Sequence, residues 1–179
     1  MTSVSVLLSM GSNLDPEDNL ERAVELLARR TELIAVSSVF RTEPVGAPNS
    51  PDFLNAAAKI RFVGSPQALK FDVLRPIEDE LGRLRGDDRN APRTIDLDIS
   101  LFGRLVMYDQ DCDLVIPAPE VMTQAHVALP LADLAPDMIH PVCDEPLAEI
   151  AARFGHVSGI EKLTRPILSV KDRTGVDSG

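Results

Sequence analysis

Positive charge is what this chain lacks. Its 18 lysines and arginines face 28 aspartates and glutamates, a formal net charge of −10 with pI ≈ 4.7. A general nucleic-acid binder presents a basic surface and so does a protein drawn to anionic lipid, so the composition argues against both partners. An acidic chain can still hold an anionic ligand, but only by gathering its few cations in one place. No stretch approaches the roughly 20 apolar residues of a membrane-spanning helix. The start, "MTSVSVLLSMGSN", has no basic segment and reads as a first strand rather than a secretory signal. Cysteine is scarce: Cys112 and Cys143 lie far apart without a CxxC spacing and with only 3 histidines in the chain. They read as free thiols of a cytoplasmic protein, not as zinc ligands. A glycine-rich phosphate loop of the P-loop or Rossmann kind is also missing, so any nucleotide must be held by arginines and metal.

With 179 residues, 44% of them hydrophobic, the chain suits one compact domain, expected over 1–158 with a tail over 159–179. A strand is expected over 3–10, closed by a "GSN" turn. The stretch "DPEDNLERAVELLARR" predicts a helix with Asp15 as cap, Pro16 in the first turn and Leu20, Val24 and Leu27 on one face. "ELIAVSSVFRTEP" and "DFLNAAAKIRFVG" predict the next two strands. A second helix opens on Ser65 and Pro66 and should be kinked or broken by Pro76. A strand over 95–101 follows. This βαββαβ order predicts an α+β, ferredoxin-like sandwich. A hairpin from "RLVMYDQDCDLVIPAP" and two short helices, in "AHVALPLADLAPDM" and "PLAEIAARFG", should complete it.

The chemistry concentrates before and within the last of those strands. In "APRTIDLDISLFG" the period of two puts Ile95, Leu97, Ile99 and Leu101 on one face and Asp96, Asp98 and Ser100 on the other. The two aspartates then stand roughly 7 Å apart at their β-carbons, close enough to repel unless cations lie over them. The preceding segment 83–93, "RLRGDDRNAPR", carries four arginines. Guanidinium groups bind phosphate oxygens in pairs and carboxylates hold the magnesium that accompanies polyphosphates, so both clusters suit one magnesium–nucleotide ligand. A charged, solvated loop is the plainer reading of the arginines. Two residues apart on another strand, Phe53 and Asn55 share a face near the turn of Thr42, Pro44, Val45 and Gly46. A flat heterocycle could stack on Phe53 while Asn55 reads its edge; the plainer alternative is a core phenylalanine beside a capping asparagine.

In order and spacing, "GSNL", "FRTEPVG", "PDFLNAA", "IEDELGRLR" and above all "RNAPRTIDLDISLFG" resemble the 6-hydroxymethyl-7,8-dihydropterin pyrophosphokinases of folate biosynthesis, over about 4–141. The resemblance implies a cytoplasmic, ferredoxin-like enzyme, a monomer or weak homodimer. It would transfer pyrophosphate from ATP to the pterin hydroxymethyl group and release AMP. It further implies that Asp96 and Asp98 hold two Mg2+ ions and that Arg83 and Arg93 stabilise the transferring phosphoryl groups, with Asp98 able to accept a proton. Arg75, Glu78, Arg85 and Arg93 would serve the nucleotide, and Thr42, Glu43, Val45, Phe53, Asn55 and His126 the pterin. Downstream the chain departs from the pattern. Ala118 stands for a histidine, Gln124 for an arginine, His126 for an aromatic and Asn90 for a tryptophan of some members. These departures leave open a related protein that binds a pterin with weak turnover or uses a related pterin.

Overall fold

The computed structural model describes residues 2–44, 49–83 and 92–164. The first strand, β1 (Val4–Ser12), runs on through the expected turn, and α1 (Pro16–Arg30) follows with Pro16 in its first turn. Asp15 occupies the cap position in a left-handed conformation (φ 40°), but its side chain makes no capping bond. Asn19 ties the turn instead, donating to the Leu14 carbonyl at 2.7 Å. The single strand expected over 32–44 is two, β2 (Glu32–Val36) and β3 (Phe40–Thr42). Ser37 marks the break: it donates its N–H to the Ala57 carbonyl at 2.9 Å and accepts the Ala57 N–H on its hydroxyl at 2.8 Å. A side-chain oxygen takes the place of a ladder carbonyl, and the strand changes path there.

The long β4 (Phe53–Phe62) leads to Ser65, whose hydroxyl caps the next helix by accepting the Ala68 N–H at 3.1 Å. That helix is a short α2 (Pro66–Ala68), a π-helical segment (Leu69–Leu74) and α3 (Arg75–Glu80). Pro76 has no N–H to give and its ring crowds the preceding turn, and the wider π turn absorbs this misfit. Next come β5 (Asp96–Phe102), the hairpin β6 (Met107–Asp109) and β7 (Leu114–Ile116), and the helices α4 (Glu120–Thr123), α5 (Ala125–Leu134) and α6 (Leu147–Ala152). Of these only α4 lacks a counterpart in the expectation. A last strand, β8 (Ile160–Lys162), closes the described chain.

The main sheet has the order β5-β1-β4-β3-β8, with β2 also on β4, and every pairing is antiparallel. Two crossovers over one face give the expected ferredoxin-like arrangement. On that face Val6, Leu8, Met10, Ile60, Leu97 and Ile99 pack against Leu20 and Leu27 of α1 and against Leu69, Leu74 and Ile77. On the other face Leu7, Ala57 and Leu101 pack against Val127 and Leu131 of α5 and against Leu147 and Ile150 of α6. This second layer rests on one end of the sheet. At the opposite end the same face carries Ser9, Gly11, Asn55, Asp96 and Asp98, by strand alternation and register.

One sequence expectation is corrected: Leu101 does not share a face with Ile99. The register of β1 against β5 slips opposite Ser100, which is fully buried, so a bulge sends Leu101 to the α5 side and returns Phe102 to the α1 side. Leu101→Ala should therefore lower stability by about 2–5 kcal/mol. In native-state hydrogen exchange it should loosen α5 more than α1; greater loss in α1 would mean that the alternation runs unbroken through Ser100.

Candidate active site

The N-terminal end of β5 is fixed by a buried carboxylate. Glu78 of α3, 3% exposed, accepts the Leu97 N–H at 2.9 Å and also binds the guanidinium of Arg83. The same Arg83 nitrogen lies 2.5 Å from Asp96 Oδ1, and Arg93 Nη1 lies 2.5 Å from Asp96 Oδ2. Partial burial would lower the Arg83 pKa, but the charges of Asp96 and Glu78 outweigh it and hold the group above its ordinary range.

Both arginines are anchored through their backbones. Arg83 donates its N–H to the Glu78 carbonyl at 3.0 Å, closing the helix that carries Glu78. Arg93 donates its N–H to Asn13 Oδ1 at 2.6 Å, and its carbonyl accepts from Asn13 and Leu14 at 3.1 and 3.3 Å. Ser12 donates to the Thr94 carbonyl at 2.5 Å. Ser12 and Asn13, both buried, are thus positioning residues that sequence reasoning missed. Their signal was the "GSN" motif, which reads as a turn yet serves as the dock for the segment entering β5.

Asp98 stands opposite Ser9, and its side chain reaches solvent. Protein packed around its other sides, then the like charges of Asp96 and Glu78, push its carboxyl up to about 7 against the opposing charges of Arg83 and Lys70. Asp96 is held by both guanidiniums, so Asp98 is the carboxylate whose charge the protein leaves least compensated.

Across the sheet the register makes a row, Asn55 opposite Gly11 and Gly11 opposite Asp96. A β-carbon on Gly11 would lie 3.2 Å from Asn55 Oδ1, so glycine leaves open the ground between the amide and the carboxylates. Asn55, 6% exposed, donates to Thr42 Oγ1 at 3.0 Å, and Thr42 stands opposite Phe53. The plainer reading of Asn55 as a capping residue fails, because its partner is a side chain on the neighbouring strand. The Asp96–Asp98 pair and the Thr42–Asn55 pair with Phe53 therefore share one half of a sheet face.

The sequence pattern described as 7,8-dihydro-6-hydroxymethylpterin-pyrophosphokinase (HPPK) matches residues 7–136. The chain belongs to this family. It is 39% identical over 140 residues to the 2-amino-4-hydroxy-6-hydroxymethyldihydropteridine pyrophosphokinase of Pseudomonas aeruginosa, covering 76% of this chain and 83% of that one. It is 35% identical over 141 residues to the Haemophilus influenzae protein of the same name, covering 77% and 86%. Among solved structures, the wild-type Plasmodium falciparum HPPK-DHPS with pteroate matches at a TM-score of 0.70 and 13% identity, over 90% of this chain and 48% of that one. The chain thus spans about half the length of that structure, and the likeness speaks for the fold alone.

The other residues expected at an HPPK site are spread more widely. Glu43 is exposed and donates its N–H to the Gly159 carbonyl at 3.0 Å. Arg75 stacks over the Phe71 ring, 4.5 Å from its centroid, on the helical layer rather than among the Asp96 group. His126 lies in the first turn of α5 with an exposed side chain that hydrogen-bonds to none of the described residues; the protein around it lowers its pKa, against the charge of Glu120. Ala118 donates its N–H to the Ser100 carbonyl at 2.9 Å, and Gln124, exposed, opens α5 with its carbonyl accepting from Val127 and Ala128 at 3.1 and 3.0 Å. Val45, Arg85 and Asn90 lie outside the described residues, as does most of the segment 83–93.

Among the described residues no three histidine, cysteine, aspartate or glutamate side chains converge to hold a metal unaided. Two neighbouring carboxylates do fit a magnesium that arrives with phosphate oxygens and waters as its remaining ligands. In metal-free buffer the raised Asp98 pKa has a calculable sign. The stabilising contribution is complete below the unfolded value near 3.8 and is lost as pH rises through about 7. Asp98→Asn should therefore raise the melting temperature in EDTA at pH 8 and raise it less at pH 5. An equal shift at both pH values would show that Asp98 titrates normally.

Proposed function

We propose that the row from Asn55 through Gly11 to Asp96 is the line along which pyrophosphate passes from ATP to the pterin. Membership of the HPPK family supplies the reaction: ATP gives its pyrophosphate to the hydroxymethyl group of 7,8-dihydro-6-hydroxymethylpterin in folate synthesis, and AMP leaves. The pterin hydroxyl oxygen bonds to the β-phosphorus, the bond from that phosphorus to the oxygen bridging to the α-phosphate breaks, and AMP departs with that oxygen. The observation that carries this placement is the shared half-face, where the Thr42–Asn55 pair and Phe53 adjoin the Asp96–Asp98 pair.

Thr42 and Asn55, bonded to each other at 3.0 Å, offer the donors and acceptors that a pterin edge needs, and Phe53 offers a flat surface. Glu43, Val45 and His126 complete the pterin end in this reading. Asp96 and Asp98 would hold two Mg2+ ions, which would supply positive charge to neutralise the polyphosphate. Arg83 and Arg93 already lie against Asp96, so a polyphosphate held at the aspartates would meet two guanidiniums there. Arg75 and Arg85 are assigned to the nucleotide in this reading, while Glu78 acts through Arg83 rather than by touching it. Asp98 accepts the hydroxyl proton in this reading. Positioning and charge carry most of a phosphoryl transfer, which asks for little covalent help from protein. The enzyme works in the cytoplasm as a monomer or weak homodimer; among the described residues no helix is long and apolar enough to cross a membrane.

Incubation with ATP, magnesium and the hydroxymethyl dihydropterin should yield AMP. ADP would indicate a simple kinase, and neither product a pterin-binding relative. Asp96→Ala and Asp98→Ala should each reduce AMP formation below detection while unfolding stays cooperative, since neither side chain belongs to the core. Turnover near the wild-type rate in either would remove the metal assignment.

Ala118 and Gln124 bring no cation to the phosphates, and a charged hydrogen bond contributes about 1.5–3 kcal/mol. The double variant Ala118→His with Gln124→Arg should tighten MgATP binding by at least about tenfold in titration calorimetry and leave pterin affinity unchanged. Unchanged nucleotide affinity would mean that other side chains already fill those roles.

A further inference from the structure

The C-terminal strand β8 lies outside the matched stretch 7–136, yet it is bonded to the strand that carries the pterin end of the site. Thr42 stands opposite Ile160, Arg41 opposite Glu161 and Phe40 opposite Lys162. The contact continues past both ends of the ladder, for Glu43 donates its N–H to the Gly159 carbonyl at 3.0 Å and Leu163 donates to the Val39 carbonyl at 2.8 Å. Every backbone position from Val39 to Glu43 is thus matched by the segment 159–163.

That segment is itself fixed at one point. Asp133, near the end of α5, binds the Lys162 ammonium through Oδ1 and accepts the Ser38 N–H on Oδ2 at 2.8 Å. One carboxylate thereby joins the helix that covers the sheet, the break between β2 and β3, and the added strand. Lys162 also lies over the Phe40 ring, 5.9 Å from its centroid.

At the other end Gly159 takes a φ of +83°, which glycine adopts without strain. A β-carbon there would stand 3.5 Å from Glu43 Oε2 and 3.8 Å from Glu43 Cβ, in ordinary van der Waals contact with Glu43, so the strain of the positive φ would be felt beside that residue. Gly155 offers a natural comparison. Its φ is also positive, +56°, but nothing lies within 4 Å of its would-be β-carbon.

We infer that Gly159 and Asp133 are positioning residues for the pterin: β8, pinned by Asp133, fixes the Thr42–Glu43 backbone against which the ring is read. This rests on the pterin pocket proposed above. The plainer role for β8 is to shield the edge of the sheet, which natural sheets commonly do. Edge protection alone makes all ligands and the fold suffer together. Positioning acts on one ligand.

The test is titration of the full chain with 6-hydroxymethyl-7,8-dihydropterin and, separately, with MgATP, alongside melting curves. Gly159→Ala and Asp133→Ala should weaken pterin binding by about three- to tenfold with MgATP affinity held. Asp133→Asn keeps an acceptor for the Ser38 N–H and should recover part of the loss. Gly155→Ala should lower the melting temperature through the same backbone strain without moving pterin affinity. Asn55→Ala checks the pocket itself. Unchanged pterin binding in Gly159→Ala and Asp133→Ala, with a clear loss in Asn55→Ala, overturns the inference and spares the pocket. Parallel losses for pterin and MgATP that track the melting temperature also overturn it. No loss in Asn55→Ala removes the pocket, and the inference with it.

Discussion

One buried carboxylate, Glu78, is the tie on which the site depends. A charge taken out of water is tolerated only when its hydrogen-bonding capacity is met, and leaving one unpaired costs several kcal/mol. Glu78 is met from two directions, by the Leu97 N–H of the edge strand β5 and by the Arg83 guanidinium. The strand end that presents Asp96 and Asp98, the helix α3 and the first arginine of the loop are therefore held in mutual register by a single side chain. Satisfying Glu78 places Arg83 within reach of Asp96, so the arrangement of charge at the surface follows from a requirement of the interior.

The second constraint is that, among the described residues, helices cover only half of the sheet face bearing the aspartates. Leu7, Ala57 and Leu101 supply the apolar ground on which α5 and α6 rest. Beyond them the same strands turn to Ser9, Gly11, Asn55 and the aspartates, which offer a helix nothing to bury. Gly11 matters in this economy of space, because any side chain there would fill the ground between Asn55 and Asp96.

Much of this was legible in the sequence, and the limits have identifiable causes. The period of two in 95–99 placed Asp96 and Asp98 together correctly, since strand alternation is a local property. It failed at Leu101 because a bulge depends on the partner strand, and nothing in "DISLF" announces it. Pro76 announced a disturbance but not its form, a π turn rather than a break. The break at Ser37 was hidden among β-branched residues that suit a strand, since its cause is a bond to Ala57 twenty positions away. At the site, the residue types of Asp96, Asp98, Thr42, Phe53 and Asn55 could be chosen from chemistry, but the Asn55–Gly11–Asp96 row could not. A row across three strands is a matter of register, which the spacing along one strand leaves undetermined.

The two aspartates, alike in sequence, are unlike in the folded chain. Asp96 has one oxygen toward each arginine, so its charge is compensated before any ligand arrives. Asp98 has its pKa raised first by the protein packed around it and then by the like charges of Asp96 and Glu78, and the nearest guanidinium is already engaged elsewhere. The two carboxylates therefore meet different surroundings, Asp96 paired on both oxygens and Asp98 walled in by protein beside like charges. Loss of either arginine contact would leave Asp96 less compensated as well, so the charge balance of the pair rests on two side chains.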